Sequence, residues 1–378
     1  MTLTVETKQN WRIKKLGEII CLEYGKPLLD SLRDSSGLHP VYGANGAKNR
    51  TNEFYWDKPS IIIGRKGSAG EINITESKFW PLDVTYFIKF DEELYNLRFL
   101  YYLLKTLNLP QLARGVKPGI NRNEVYSIEV CVPEFISEQH RIVSILDEAF
   151  TEIDKAKVIT EKNLKNAKEV LEGKFESIFS NVSKDWTIKR LEEITNIEYG
   201  YTEKAKNKGD YRYIRITDID KEGNLEPENK MFIEYSKEAE KFVLEDGDLL
   251  MARTGATFGK VLLYRDIEKS VFASYLIKIS FKENILNKLY WYFSKSRIYW
   301  RQASNLSSGA AQPQFNGSAL REIIFSFPSS LTEQHDIITE LDSISTETKK
   351  LEKIYTQKLT HLEELKKSIL KQAFEGKL

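Results

Sequence analysis

Two cysteines, Cys21 and Cys131, are too few for a disulfide framework and offer no zinc spacing, so the chain suits a reducing compartment, with both thiols expected in the core. Four histidines, His39, His140, His335 and His361, contain no His-x3-His pair, and no metal ligand set is assigned. None of the ten prolines adjoins another. That removes the Pro-Pro-Tyr type of grip that a DNA adenine methyltransferase uses on a flipped base. A phosphate cradle is also missing. Between Gly255 and Gly259-Lys260 stand three residues instead of four, and Val261 replaces the hydroxyl that would hold magnesium. No run approaches the roughly 18 apolar residues of a membrane span, and no basic start followed by an apolar stretch opens the chain. A cytoplasmic protein without membrane contact is expected. Charge is balanced as well: 56 basic against 55 acidic side chains leave +1, so any nucleic-acid surface must come from local clustering.

What is present is one long phrase stated twice. Trp11 to Gly25 returns 175 positions later as Trp186 to Gly200, with Trp, Ile, Lys, Leu, Glu, Ile and a closing Glu-Tyr-Gly in matching places. Pro133, Ser137, Glu138-Gln139-His140, Ile142, Leu146 and Asp147 return 195 positions later as Pro328, Thr332, Glu333-Gln334-His335, Ile337, Leu341 and Asp342. Two ordered markers at nearly one offset indicate a duplicated domain, since a solenoid repeats every 20 to 50 residues or so. The copies disagree between their markers. Gly25 to Arg65 is 40 steps, Gly200 to Arg253 is 53, and Tyr42-Gly43-Ala44-Asn45-Gly46 shares little with Tyr211-Arg212-Tyr213-Ile214-Arg215. A constant frame holding two unlike inserts predicts two readers of different things.

Each half has the pattern of a mixed α/β globule. The apolar runs 60–64 and 248–252 have the length of buried strands, and each delivers a basic residue onto a glycine-rich loop. The candidate contact residues of these loops are Arg65, Lys66, Gly67 and Ser68 in the first half, and Arg253, Thr254, Gly255 and Thr257 in the second. Arg is the side chain best suited to guanine O6 and N7, and flexible glycine loops let backbone approach a phosphate or base edge. Polar turns around a shared Pro and Asn supply Lys117, Asn121 and Arg122, and Gln312, Gln314 and Asn316; Asn and Gln suit adenine edges, Lys and Arg suit phosphates. Aromatic segments 97–107 and 289–300 are assigned to helices packed in the core. His140 and His335 are assigned as polar residues near helix starts.

Beyond the Glu-Gln-His markers both halves become charged and helix-prone, with Ser137 and Thr332 as candidate N-caps. Leu351, Tyr355, Leu362, Leu365 and Ile369 fall on heptad a and d positions, interrupted by Lys358 and Gln372; Ile153, Ala156, Leu164, Ala167, Val170 and Ile178 form the first-half stripe. Neither stripe stabilises a lone helix in water. The expected fold is therefore α+β: two globular mixed α/β domains in tandem duplication, joined and separated by two long helices packed as a coiled coil. The expected limits are 1–150 and 183–340 for the domains, 151–182 and 341–378 for the helices.

Taken together, the doubled Trp-x-Ile-Lys-Lys/Arg-Leu opening, the loops at Arg65 and Arg253, the Glu-Gln-His helix starts and the terminal Leu370 to Leu378 resemble the specificity subunit of a Type I restriction-modification system over nearly the whole chain. The resemblance implies that each half is a target recognition domain for double-stranded DNA, and that the paired helices are spacers and docking surfaces. It further implies that two DNA methyltransferase subunits and endonuclease subunits assemble on the chain. S-adenosylmethionine, ATP and magnesium then belong to those partners, and the chain itself has no cofactor and no catalytic residue. Two alternatives are a stand-alone DNA methyltransferase or nuclease, opposed by the missing motifs, and a protein-only coiled-coil scaffold, which gives no reason for repeated Arg-Gly loops. Under the resemblance the helices act as a ruler. One heptad inserted within 155–175 adds roughly 10 Å, about three base pairs, at about 1.5 Å per residue. The gap between half-sites should widen with the bases read unchanged; mapped methylation showing a changed half-site and an unchanged gap would refute this.

Overall fold

The repeated phrases at the two ends of each half are hydrogen-bonded partners. In the computed structural model, which describes residues 10–220, 222–307 and 314–378, strand β1 (Trp11–Lys15) pairs antiparallel with the strand Glu129–Pro133, setting Trp11 opposite Pro133. Trp186–Arg190 pairs likewise with Ile324–Pro328, setting Trp186 opposite Pro328. The turn after each opening strand is tied to the same place, by Leu16 N–H to Ile128 O at 2.9 Å and Leu191 N–H to Ile323 O at 3.0 Å.

Two compact units result, one made of residues up to Thr160 with Gln357–Leu378 and the other of Glu161–Thr356. In the first unit the opening strand leads to β2 (Ile20–Tyr24), β3 (His39–Gly43), β4 (Gly46–Thr51), β5 (Ser60–Gly64), β6 (Ile72–Thr75), β7 (Trp80–Pro81) and β8 (Thr85–Phe90). Helices α1 (Leu97–Thr106) and α2 (Arg122–Tyr126), strand β9 (Glu129–Pro133) and the long α3 (Ile136–Ser180) follow. The second unit repeats the order: β10 (Trp186–Arg190), α4 (Leu191–Ile194), β11 (Thr195–Tyr199), β12 (Tyr211–Ile214), β13 (Phe232–Ile233), β14 (Leu249–Ala252), β15 (Val261–Leu263), β16 (Ser270–Phe272) and β17 (Leu276–Phe281). It ends with α5 (Asn287–Phe293), α6 (Arg297–Leu306), α7 (Gly317–Arg321), β18 (Ile324–Pro328) and α8 (Leu331–Phe374). The predicted single aromatic helix at 289–300 is two helices. Ser296 breaks it by accepting the N–H of Tyr299 at 3.2 Å and capping α6.

Both units carry a four-stranded sheet of one order, β2-β8-β5-β6 and β11-β17-β14-β15, and a three-stranded sheet of one order, β4-β3-β7 and β13-β12-β16. In the second pair, two of the three strands come from the inserts, which share little sequence. In each, the middle strand pairs antiparallel on one side and parallel on the other. Most of the extra length of the second insert falls between β12 and β13, where the first insert has a tight hairpin.

Alternation along the central strand explains the layering. Every residue of β5 and β14 is buried, yet the two faces go to different cores. Ile61 and Ile63 join Phe99, Leu103 and Leu146, while Ile62 joins Phe79 and Phe87 under the three-stranded sheet. Leu249 and Met251 join Tyr290, Phe293 and Leu341, while Leu250 and Ala252 join Ile214 and Phe272. The same alternation corrects the reading of Cys21. It sits on β2 between buried Ile20 and Leu22, which turns it outward, and it is exposed; Cys131 is half-buried.

The Glu-Gln-His markers are fasteners. Gln139 is fully buried, accepts the N–H of Asn96 and donates to Leu94 O, each at 2.9 Å. Gln334, equally buried, accepts from Leu286 N–H at 2.9 Å and donates to Asn284 O and Pro328 O. About two turns further on, Asp147 accepts the hydroxyl of Tyr102 at 2.5 Å and pairs with Arg98, and Asp342 accepts that of Tyr292 at 2.5 Å and pairs with Lys288. Ser137 and Thr332 are not the N-caps: the helices begin at Ile136 and Leu331, so both residues lie in the first turn.

Each unit contains a stretch of both long helices running antiparallel. In the first, Lys157 meets Glu363 at 2.6 Å and Lys366 meets Asp154 at 2.9 Å, and Phe374 packs on Phe99. In the second, Lys174 meets Glu340 at 2.5 Å. The heptad stripe is only partly the packed face. Ile153, Ala167, Leu362 and Ile369 are packed, but Val170, Leu351 and Leu365 face outward, because the helices also pack on the sheets of their own units. In the second unit Phe175 and Phe179 also pack on α5, against Tyr292 and Phe293.

Tyr290, at the centre of the second core, has a buried hydroxyl without a hydrogen-bond partner among the described residues. Burial holds its ionisation well above the ordinary value, which is about 10. Such a group stabilises the fold below that pH and ceases to do so as pH rises, because the unfolded chain ionises first. Tyr290→Phe should therefore change unfolding free energy by less than about 1 kcal/mol at pH 7. It should also make the stability loss above about pH 10 shallower. Denaturant titrations at the two pH values test both; a large loss at pH 7 would contradict the unpaired hydroxyl.

Candidate nucleic-acid interface

At the end of β5 the chain turns onto the loop starting at Arg65. Its backbone is held by Arg65 N–H to Val84 O at 2.8 Å and by Gly67 N–H to Pro118 O at 2.9 Å. Ile120 N–H to Arg65 O, at 3.0 Å, and a bridge between Lys66 and Gly119 complete the attachment. The two candidate stretches of this half thus form one surface. Lys66, Gly67, Lys117, Asn121 and Arg122 are exposed on it, with Arg65 and Ser68 half-buried.

The second half repeats the construction with other residues. Arg253 N–H bonds Tyr275 O at 3.1 Å, Phe315 N–H bonds Arg253 O at 2.8 Å, and Thr254 bridges Gln314. Phe315 thus occupies the place of Ile120, and both are buried. Thr254, Gly255 and Thr257 are half-buried and Gln314 is exposed. Thr257 directs its hydroxyl toward Ile216 O at 3.4 Å. Gly67 and Gly255 hold φ of 82° and 76°, left-handed values that L side chains avoid, so both loops require glycine there. Gln312 lies outside the described residues.

Three tyrosines that are not among the candidate residues complete the surfaces. The guanidinium carbons of Arg65 and Arg122 both stand 5.3 Å from the ring centre of Tyr24. Arg253 stands 5.3 Å from the rings of both Tyr199 and Tyr275. Tyr24 and Tyr199 are the same residue of the repeated Glu-Tyr-Gly, and the repeat was the signal that could have identified them. The glycine that follows each admits a close crossing: a Cβ on Gly25 would lie 2.1 Å from Leu82 O, and one on Gly200 2.4 Å from Ala273 O. Below Tyr24, burial pushes the Tyr86 hydroxyl up to about 12, and the Tyr24 hydroxyl adds to the rise while Arg65 and Arg122 oppose it.

The surfaces are cationic and unneutralised. Among the described residues Arg65, Lys66, Lys117, Arg122 and Arg253 take part in no ion pair, in a chain whose charges otherwise balance. Such side chains can meet phosphates or base edges. Asn121 and Asn316 have a different first duty. Asn121 accepts the N–H of Asn123 at 2.9 Å and caps α2; Asn316 accepts that of Ala319 at 3.0 Å and caps α7. Their recurrence is explained by folding, and it no longer argues for adenine contact. Among the described residues no group of three His, Cys, Asp or Glu side chains is placed to hold a metal ion, and no helix is long and apolar enough to cross a membrane.

Fold and surface together define a tandem pair of α+β units, each presenting one arginine-bearing loop at the same position of a shared frame. A family model for the Type I restriction modification DNA specificity domain matches residues 8–165 and again 183–361, and the chain belongs to that family. It is 22% identical to the Type I restriction enzyme EcoDI specificity subunit of Escherichia coli, over 98% of this chain and 89% of that protein. To the EcoBI specificity subunit of the same organism it is 24% identical, over 86% and 75%. Among solved structures, a chain from work on complex assembly and conformational transition of the type I R-M system aligns with a TM-score of 0.78 at 15% identity, covering 99% of this chain and all of that one. The HsdS subunit from Thermoanaerobacter tengcongensis aligns at 0.61 and 17% identity, covering 100% and 99%. At these identities the structures show the common fold.

If capping is what Asn121 and Asn316 do, Asn121→Ala and Asn316→Ala should each cost about 1 kcal/mol of unfolding free energy. The bases read should not change. Denaturant unfolding and mapping of methylated sites check the two halves of this statement, and a relaxed base position would return the asparagines to the contact surface.

Proposed function

We propose that the chain is the DNA sequence-reading subunit of a Type I restriction-modification complex, and that it reads a bipartite, asymmetric site and directs adenine methylation and restriction by partner subunits. One observation carries the reading: an arginine resting on the tyrosine of Glu-Tyr-Gly recurs at the same position in two units whose inserts share little sequence. A common position with unlike surroundings suits two readers of different bases. The unneutralised cations supply the phosphate attraction on which DNA affinity largely depends.

The same reading places two DNA methyltransferase subunits, and endonuclease subunits, on the chain. S-adenosylmethionine, ATP and magnesium reside on those partners, and the chain contributes recognition without catalysis. The cytoplasm, where the DNA is, is its working compartment.

Mapping methylated adenines in DNA from cells that express the chain with its modification partner tests this. Two short unlike half-sites separated by an unread gap are expected. A continuous or palindromic motif would overturn the two-reader reading.

A further inference from the structure

The two shared arginines differ in what their guanidinium groups are already bonded to. In the first unit Nε and Nη2 of Arg65 both donate to Asp83 O, at 3.1 and 2.7 Å. One edge of the fork is occupied by the protein. What remains stands with Arg122 over the same Tyr24 ring, next to exposed Lys66 and the Lys117 turn. Several point charges around a partly occupied guanidinium match an anion more than a base edge.

Arg253 is the reverse. No nitrogen of its guanidinium makes a hydrogen bond among the described residues, and its Nε is shielded from water with no partner. Two rings, Tyr199 and Tyr275, hold the group from its sides, and Tyr199 is itself fixed by accepting the N–H of Gly317 at 2.9 Å. The residues placed beside it, Thr254 and Gln314, carry no charge. A buried donor left unpaired is costly and is rare in folded proteins unless a ligand or function accounts for it. Guanine offers two adjacent acceptors, O6 and N7, in the major groove, which a bare planar fork can meet together.

We infer that Arg253 reads a guanine in the half-site of the second unit, whereas Arg65 grips a backbone phosphate in the half-site of the first. The inference rests on the DNA-reading function proposed above and divides that function between two chemistries.

The test uses the full chain assembled with its modification subunits and duplexes carrying the mapped site. Each guanine is replaced in turn by 7-deazaguanine, which lacks the N7 acceptor. At one guanine of the second unit's half-site the wild-type complex should lose about ten-fold or more in affinity. Arg253→Lys, which keeps the charge and loses the fork, should abolish that sensitivity and allow adenine methylation of sites that carry another base at that position; Tyr275→Leu should weaken it. Arg65→Ala should lower affinity for all sequences, reduce the salt slope by about one and relax no base. Retained 7-deazaguanine sensitivity in Arg253→Lys, a half-site without guanine, or a base position relaxed by Arg65→Ala would each overturn the division while leaving the DNA-reading function standing. A wild-type complex with no salt-sensitive DNA binding would instead defeat the function itself.

Discussion

Each unit depends on the antiparallel pairing of its first strand with the strand just before its long helix. That pairing joins residues more than a hundred positions apart and closes the unit around everything between them. It also explains the doubling of the edges in the sequence. Trp11 and Pro133 sit opposite one another, as do Trp186 and Pro328, so a change in either strand is felt by both. The pairing involves the edge strands alone, so the inserts can diverge in sequence while the frame stays constant.

The buried glutamine and the aspartate of each long helix extend the same constraint. Gln139 and Gln334, themselves fully buried, satisfy backbone groups of the segments leading into α1 and α5. Asp147 and Asp342 then hold a tyrosine and a cation of those helices. The helix starts are thereby locked to the sheets, and with them the strand ends from which Arg65 and Arg253 emerge. Among the described residues His140 and His335, conspicuous in the sequence, have no comparable task; His140 Nδ1 makes a long hydrogen bond with Asn96 Nδ2, at 3.4 Å.

Much of this was legible beforehand, and the exceptions have physical causes. Duplication, the buried strands at 60–64 and 248–252, and the basic loops after them followed from spacing and apolar runs, which report backbone geometry directly. The contact of Arg65 with Tyr24 did not, because a tyrosine repeated inside a strand reads as frame until its ring is seen exposed under a guanidinium. Asn121 and Asn316 show the opposite ambiguity: recurrence beside a basic loop reflects the demand of a helix N-terminus as readily as that of a base edge. The exposure of Cys21, Val170, Leu351 and Leu365 is not legible from residue type, because pleat direction and the competing surface of the sheets decide burial. The common topology of the two inserts had no sequence signal, since β-strands constrain alternation far more than identity.

The central claim is that one frame presents two separate DNA-reading surfaces. Photo-crosslinkers placed at Lys66 and at Gln314, one exposed position on each surface, address it directly when the assembled complex is bound to its own site and the adducts are mapped to the base. The account predicts two disjoint clusters of adducts, those from Lys66 confined to one half-site and those from Gln314 to the other. Adducts from both positions in the same half-site, or none within the site from either, would contradict it.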